Sequence, residues 1–136
     1  MLWKAERELA RLQSDLSIDN VFNFFVTAYH LMDYVEVQKA APQATIDAMY
    51  HDPDFQECRF ICNKGKHLEL RRQPDKATAV IRTHGGAYNT SAYNTRPFNA
   101  GPLIRFLVDG KEVDIRTLAA RILQKWQAFF TDNHIA

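Results

Sequence analysis

The stretch SIDNVFNFFVTAYHLMDYVEV, residues 17–37, decides how the rest of the chain is read. Ser17, Asp19 and Asn20 bring short polar side chains that cap the open amides of a helix start. Behind them Val21, Phe22, Phe24, Phe25, Val26, Tyr29, Leu31, Met32 and Val35 are apolar nearly all round a helical projection. The spacing predicts a central helix running to about Lys39. Asn23, Thr27, His30, Asp33 and Glu36 interrupt the run, which makes it a poor membrane span. Pro42 ends or restarts the helix.

Upstream, Ala5, Leu9, Leu12 and Leu16 recur at four, three and four, the stripe of a helix from Trp3 to about Ser14. Lys4, Glu6, Arg7, Glu8 and Arg11 are expected to face water. Downstream, a short helix covers Gln43 to Tyr50. Asp52-Pro53 then reads as an N-cap followed by proline at the first helical position. The helix it opens contains Phe55, Cys58, Ile61 and Cys62, and ends either at Gly65 or near Leu70.

From Gln73 the period changes. Ala77 to Thr83 predicts a strand, and Leu103–Val108 and Lys111–Ile115 flank Asp109-Gly110, a strong signal for a two-residue hairpin turn. The intervening Gly85–Gly101 segment is rich in Gly, Asn and Thr. Its Tyr88, Tyr93, Arg96 and Phe98 either stack on a ligand's bases or form a hairpin tip. The last helix, from Asp114 or Arg116 to about Thr131, carries Leu118, Ile122, Trp126 and Phe129 on one stripe, widened by Leu123 and Phe130. The expected fold is α+β and mainly helical: an antiparallel helix bundle, a small three-stranded antiparallel β-sheet or hairpin, and a C-terminal amphipathic helix. A single domain spans residues 1–136, with a helical part to 72 and the hairpin plus last helix from 73.

Composition narrows the function classes. Of 136 residues, 46% are apolar and 24% charged, an ordinary globular balance. With 17 basic against 16 acidic side chains the net charge is +1, so an extended nucleic-acid footprint is excluded and only a local basic site is left. No apolar run behind the N-terminal charges resembles a signal peptide, and the reading is a cytoplasmic protein without membrane contact. Cys58 and Cys62 lie four apart on a helix, a spacing that does not favour a disulfide. With His67 they suggest zinc, yet no second ligand pair completes four positions. Two small buried hydrophobes, and no metal or cofactor, are expected.

Two polar stripes stand out. Asn23, Thr27, His30 and Asp33 follow at four, three and three; Gln56, Arg59, Asn63 and then Lys66 or His67 repeat the arrangement on the later helix. A polar stripe on a buried helix is costly unless its groups find partners. The expectation is that the stripes share a cleft, with Asp33 pairing with Arg59 or Lys66. Such a cluster suits proton transfer and the holding of a phosphate; a structural network that fixes helix register, or a solvated face, uses the same residues.

The segments His30-Leu31-Met32-Asp33-Tyr34-Val35 and Arg59-Phe60-Ile61-Cys62-Asn63-Lys64-Gly65-Lys66-His67 are together similar to those of bacterial proteins found with mobile elements. More distantly they resemble the HEPN (higher eukaryotes and prokaryotes nucleotide-binding) helical domains. The resemblance covers about residues 19 to 72. It implies a homodimeric, metal-independent ribonuclease of a toxin–antitoxin, phage-defence or mobile-element system, with RNA or a nucleotide as ligand. Catalysis then falls to Arg59 and His67, supported by Asp33 or His30, with Arg59 or Lys66 stabilising the phosphate. Read from the residues alone, Asn63, Lys66 and, outside the resemblance, Tyr88, Tyr93 and Arg96 are the binding candidates. Seven residues stand between Arg59 and His67, one more than the family signature carries, and Phe60 occupies a place usually polar. The alternative is a non-catalytic partner of another protein: an immunity protein, an antitoxin or a phage-encoded inhibitor. Small-ligand binding in the helical cleft is a third class.

Overall fold

Helices α1 (Leu2–Ser14), α2 (Ile18–Val37), α3 (Gln43–His51) and α4 (Pro53–Lys66) are followed by strands β1 (Ala77–Thr83), β2 (Leu103–Val108) and β3 (Lys111–Val113) and by helix α5 (Ile115–Asp132). This computed structural model describes the backbone of residues 1–66, 77–83, 103–108 and 110–136, and the side chains of 1–64, 106–108 and 110–136. The predicted features at His67, Tyr88, Tyr93, Arg96 and Asp109 lie outside the described residues, as does the Lys66 side chain.

The chain is a helical bundle with a small antiparallel sheet, and α2 lies at its centre. Ser17 caps α2, its hydroxyl accepting from the Asn20 amide at 3.2 Å. Val21, Phe24, Phe25, Ala28, Leu31, Met32 and Val35 are all buried against α1, α4 and α5. The helix stops short of Lys39, before Pro42 acts. Lys39 takes a left-handed φ of 48°, its amide donates to Glu36 O and the Ala40 amide donates to Val35 O. Those two bonds satisfy carbonyls that the helix end leaves open. His134, φ 54°, closes α5 in the same way through Phe130 O and Thr131 O.

One expectation on α1 is overturned. Glu8 is buried, only 4% exposed, while Leu9 is half-buried. Its position, three after Ala5 and four before Leu12, puts it on the buried stripe. Two arginines make that tolerable. Arg7 donates from Nε and Nη2 to Glu8 Oε1 at 3.2 and 3.1 Å, and Arg11 Nη1 donates to both carboxylate oxygens at 3.1 and 3.3 Å.

β1 pairs antiparallel with β2, and β2 with β3. Phe106 turns into the core and meets Phe22 of α2 edge-on at 6.0 Å. The third strand ends at Val113 rather than Ile115, because Asp114 is taken as the α5 N-cap, accepting from the Thr117 amide at 3.2 Å. Ile115 is therefore a buried first residue of the helix.

The start of α4 is fixed to α5 by charge. Arg121 donates to Asp54 through Nε at 3.2 Å and Nη2 at 2.9 Å. Lys125 Nζ sits 2.7 Å from Asp52 and 2.8 Å from Asp54. Hydrogen bonds from Arg121, ahead of those from Lys125, outweigh partial burial and hold the Asp54 carboxyl below its ordinary 3.8. A lowered folded pKa means that this contribution is complete above the unfolded value and is lost as pH falls through the folded one. Asp54→Asn is expected to lower stability by about 0.5–1 kcal/mol at neutral pH. A series of melting curves from pH 6 to pH 2 should show the wild type converging on the variant at the acid end.

Gly110 has φ 74°, and a Cβ built there meets nothing within 4 Å. Any cost of a side chain is then conformational. Gly110→Val is expected to lose roughly 1 kcal/mol or more, since a β-branched residue resists positive φ; chemical denaturation of the two proteins measures it.

Candidate functional site

The face shared by α2 and α4 carries the candidate site. Phe25 and Ala28 on α2 and Cys58, Ile61 and Cys62 on α4 are buried along the seam, and Cys58 Sγ lies 3.6 Å from Phe25 O. Neither cysteine forms a disulfide and both are buried, as expected of small hydrophobes. Burial pushes the Cys58 thiol up, which makes it a poor nucleophile.

The polar stripes run along the margin of this seam and not inside it. Asn23 and Asp33 are exposed; Thr27, His30, Gln56, Arg59 and Asn63 are half-buried. The penalty that led the stripes to be paired therefore acts weakly. Asp33 takes its partner from its own helix: His30 Nδ1 lies 2.7 Å from Asp33 Oδ2. Among the described residues no ion pair joins Asp33 to Arg59. Gln56 turns instead to the end of α3, donating its side-chain amide to Tyr50 O.

Asp33 and Arg59 nevertheless meet electrostatically at Tyr29. Burial raises the Tyr29 hydroxyl pKa; the positive charge of Arg59 pulls it down and the negative charge of Asp33 pushes it up. The Tyr29 ring also meets the His30 imidazole edge-on at 6.4 Å. A turn further along α2, Glu36 Oε2 accepts from the Tyr50 hydroxyl of α3 at 3.0 Å. Burial and then that bond raise the Tyr50 pKa, so both phenols stay neutral donors. Tyr29, Glu36 and Tyr50 were missed in the sequence reading, which placed Tyr29 among the core residues. The signal was there: Tyr29, Asp33 and Glu36 stand at i, i+4 and i+7, one helix face.

The arrangement has definite chemical capacity. A carboxylate on Nδ1 fixes the imidazole tautomer and the orientation of the ring. Arg59 supplies a permanent cation, and Tyr29 a neutral donor. Among the described residues no group of three or more His, Cys, Asp or Glu is placed to hold a metal ion. No described helix is long and apolar enough to cross a membrane.

No family model, curated protein or solved structure matches this chain.

The site geometry has a direct check. Arg59→Ala is expected to raise the Tyr29 pKa further, because it removes the charge that favours the phenolate. Asp33→Asn is expected to lower it. Tyrosine ring carbon shifts followed by NMR through the alkaline range distinguish the two, and no change in either variant would separate Tyr29 from both groups.

Proposed function

We propose that the chain is a HEPN-like, metal-independent ribonuclease, the effector of a toxin, phage-defence or mobile-element system. The observation that carries this reading is the 2.7 Å His30–Asp33 pair on α2, with the charges of Asp33 and of Arg59 on α4 both felt at Tyr29. RNA carries its own nucleophile, the 2′-hydroxyl, so cleavage needs a base, an acid and a cation rather than a bound water. His30, or His67 in the role that the family resemblance gives it, takes the 2′-proton. O2′ then bonds to phosphorus while the bond to O5′ breaks, leaving a 2′,3′-cyclic phosphate. The second imidazole returns a proton to the departing oxygen. Arg59 stabilises the extra negative charge of the pentavalent intermediate. Asp33 orients His30.

A non-catalytic role in binding another protein is favoured by a separate observation: Val37, one turn beyond Asp33, is 77% exposed. One experiment separates the readings. Purified protein is expected to cleave single-stranded RNA in the presence of EDTA. Arg59→Ala, His30→Ala and His67→Ala should each lower the rate by about 100-fold or more while melting temperatures stay close to wild type. Absence of cleavage, together with lowered melting temperatures in the variants, decides for the structural role.

A further inference from the structure

The geometry points to a second nucleic-acid contact on α1, a site for single-stranded RNA built from Trp3, Arg7 and Arg11 and held in shape by the buried Glu8. Trp3, Arg7 and Arg11 stand at i, i+4 and i+8, a straight exposed row in which neighbours rise about 6 Å along the axis. The Arg7 guanidinium lies over the Trp3 ring, 5.1 Å from its centroid. Even so, Trp3 is 61% exposed, while the Arg7 and Arg11 side chains are 45% and 55% exposed.

A carboxylate inside an apolar stripe needs a reason. Glu8 is 5% exposed at its side chain and lies between Ala5 and Leu12 on the buried face. An apolar residue there would pack at lower desolvation cost. What Glu8 does instead is draw two arginines to one point. Arg7 bonds the carboxylate through two nitrogens, Nε and Nη2, and Arg11 through one, Nη1, out of five N–H donors on each guanidinium. The remaining donors belong to guanidiniums that are fixed and half in water. Pre-ordered guanidiniums suit phosphate oxygens, since the side-chain entropy of ordering them is already lost.

The aromatic element completes the chemistry. Trp3 borders a groove of about 360 Å³ between the ends of α1 and α5, shared with Met1, Phe130 and Ile135 and edged by Gln127 and Thr131. An exposed indole beside an apolar recess receives a base, and the arginines next to it receive the backbone. Lys4 adds charge on the same side of the helix. A near-neutral chain has no broad basic surface, so this contact is short and local. A membrane surface is less well matched. An interfacial helix offers a continuous apolar face, whereas Leu12 of α1 is committed to the core.

The site does not rest on catalysis at α2 and α4, and its test is kept apart from it. A short, mixed-sequence single-stranded RNA carrying 2′-O-methyl groups, and so resistant to cleavage, is titrated by fluorescence anisotropy at low salt. Trp3→Ala and the double variant Arg7→Ala/Arg11→Ala are each expected to weaken binding roughly ten-fold. Glu8→Gln discriminates most sharply. It removes a negative charge, so a merely electrostatic patch would bind RNA more tightly. A site ordered by Glu8 binds less tightly. If Glu8→Gln fails to fold, Arg7→Lys/Arg11→Lys keeps the charge and removes the forked geometry, and should also weaken binding. Tighter binding by Glu8→Gln, full binding by Trp3→Ala, or binding to phosphatidylserine vesicles in place of RNA would each overturn the proposal.

Discussion

Trp126 is the contact on which the bundle turns. Its indole Nε1 donates to Ala28 O of α2 at 2.9 Å, and its ring meets Phe55 of α4 edge-on at 5.3 Å and Phe129 of its own helix at 5.6 Å. It is fully buried. A buried indole needs an acceptor, and Ala28, with a side chain too small to interfere, lets the ring approach the α2 backbone. Helix α2 is apolar on nearly every side and must be covered from several directions. Trp126 meets that demand by bringing α4 and α5 together against it. The Asp52–Asp54–Arg121–Lys125 cluster then fixes the same pair of helices at the start of α4, where water is close.

Polar groups on this framework divide by what they face. Glu8 and Asp54 are drawn to cations, and each sits where two elements or two side chains must be kept in register. Asp33 and Glu36 instead face a half-buried surface with phenols, an imidazole and Arg59 nearby. Asp54 is explained by the fold, since it ties α4 to α5, whereas Glu8 gathers Arg7 and Arg11 of its own helix. Asp33 and Glu36 lie at exposed positions of α2 and are not required by packing.

Much of the architecture was legible because periodicity records burial. The apolar residues nearly all round α2, the single stripe of α5 and the Ser17 and Asp52-Pro53 starts all translate directly into helices. Three features were not legible. Glu8 looked solvated because a charged residue between charged neighbours normally is; only the two arginines closing on it make burial tolerable. The end of α2 depended on Lys39 adopting a left-handed backbone, for which a lysine gives no signal. The polar stripes were legible as rows, but the choice between a shared cleft and a solvated face was not, since spacing tells which residues share a face and not how far the neighbouring helix reaches over it. Asp33 consequently found its partner three residues away on α2 rather than across on α4.

The seam beneath the site contains its own reporter. Cys58 is sealed between α2 and α4, its Sγ 3.6 Å from the Phe25 carbonyl oxygen. A thiol so enclosed reacts with an alkylating agent only when the helices part. Its labelling rate therefore measures how often this interface breathes, in a native protein and without any introduced probe. Because the same interface sets Arg59 beside Tyr29, that rate is also the frequency with which the polar margin loses its shape.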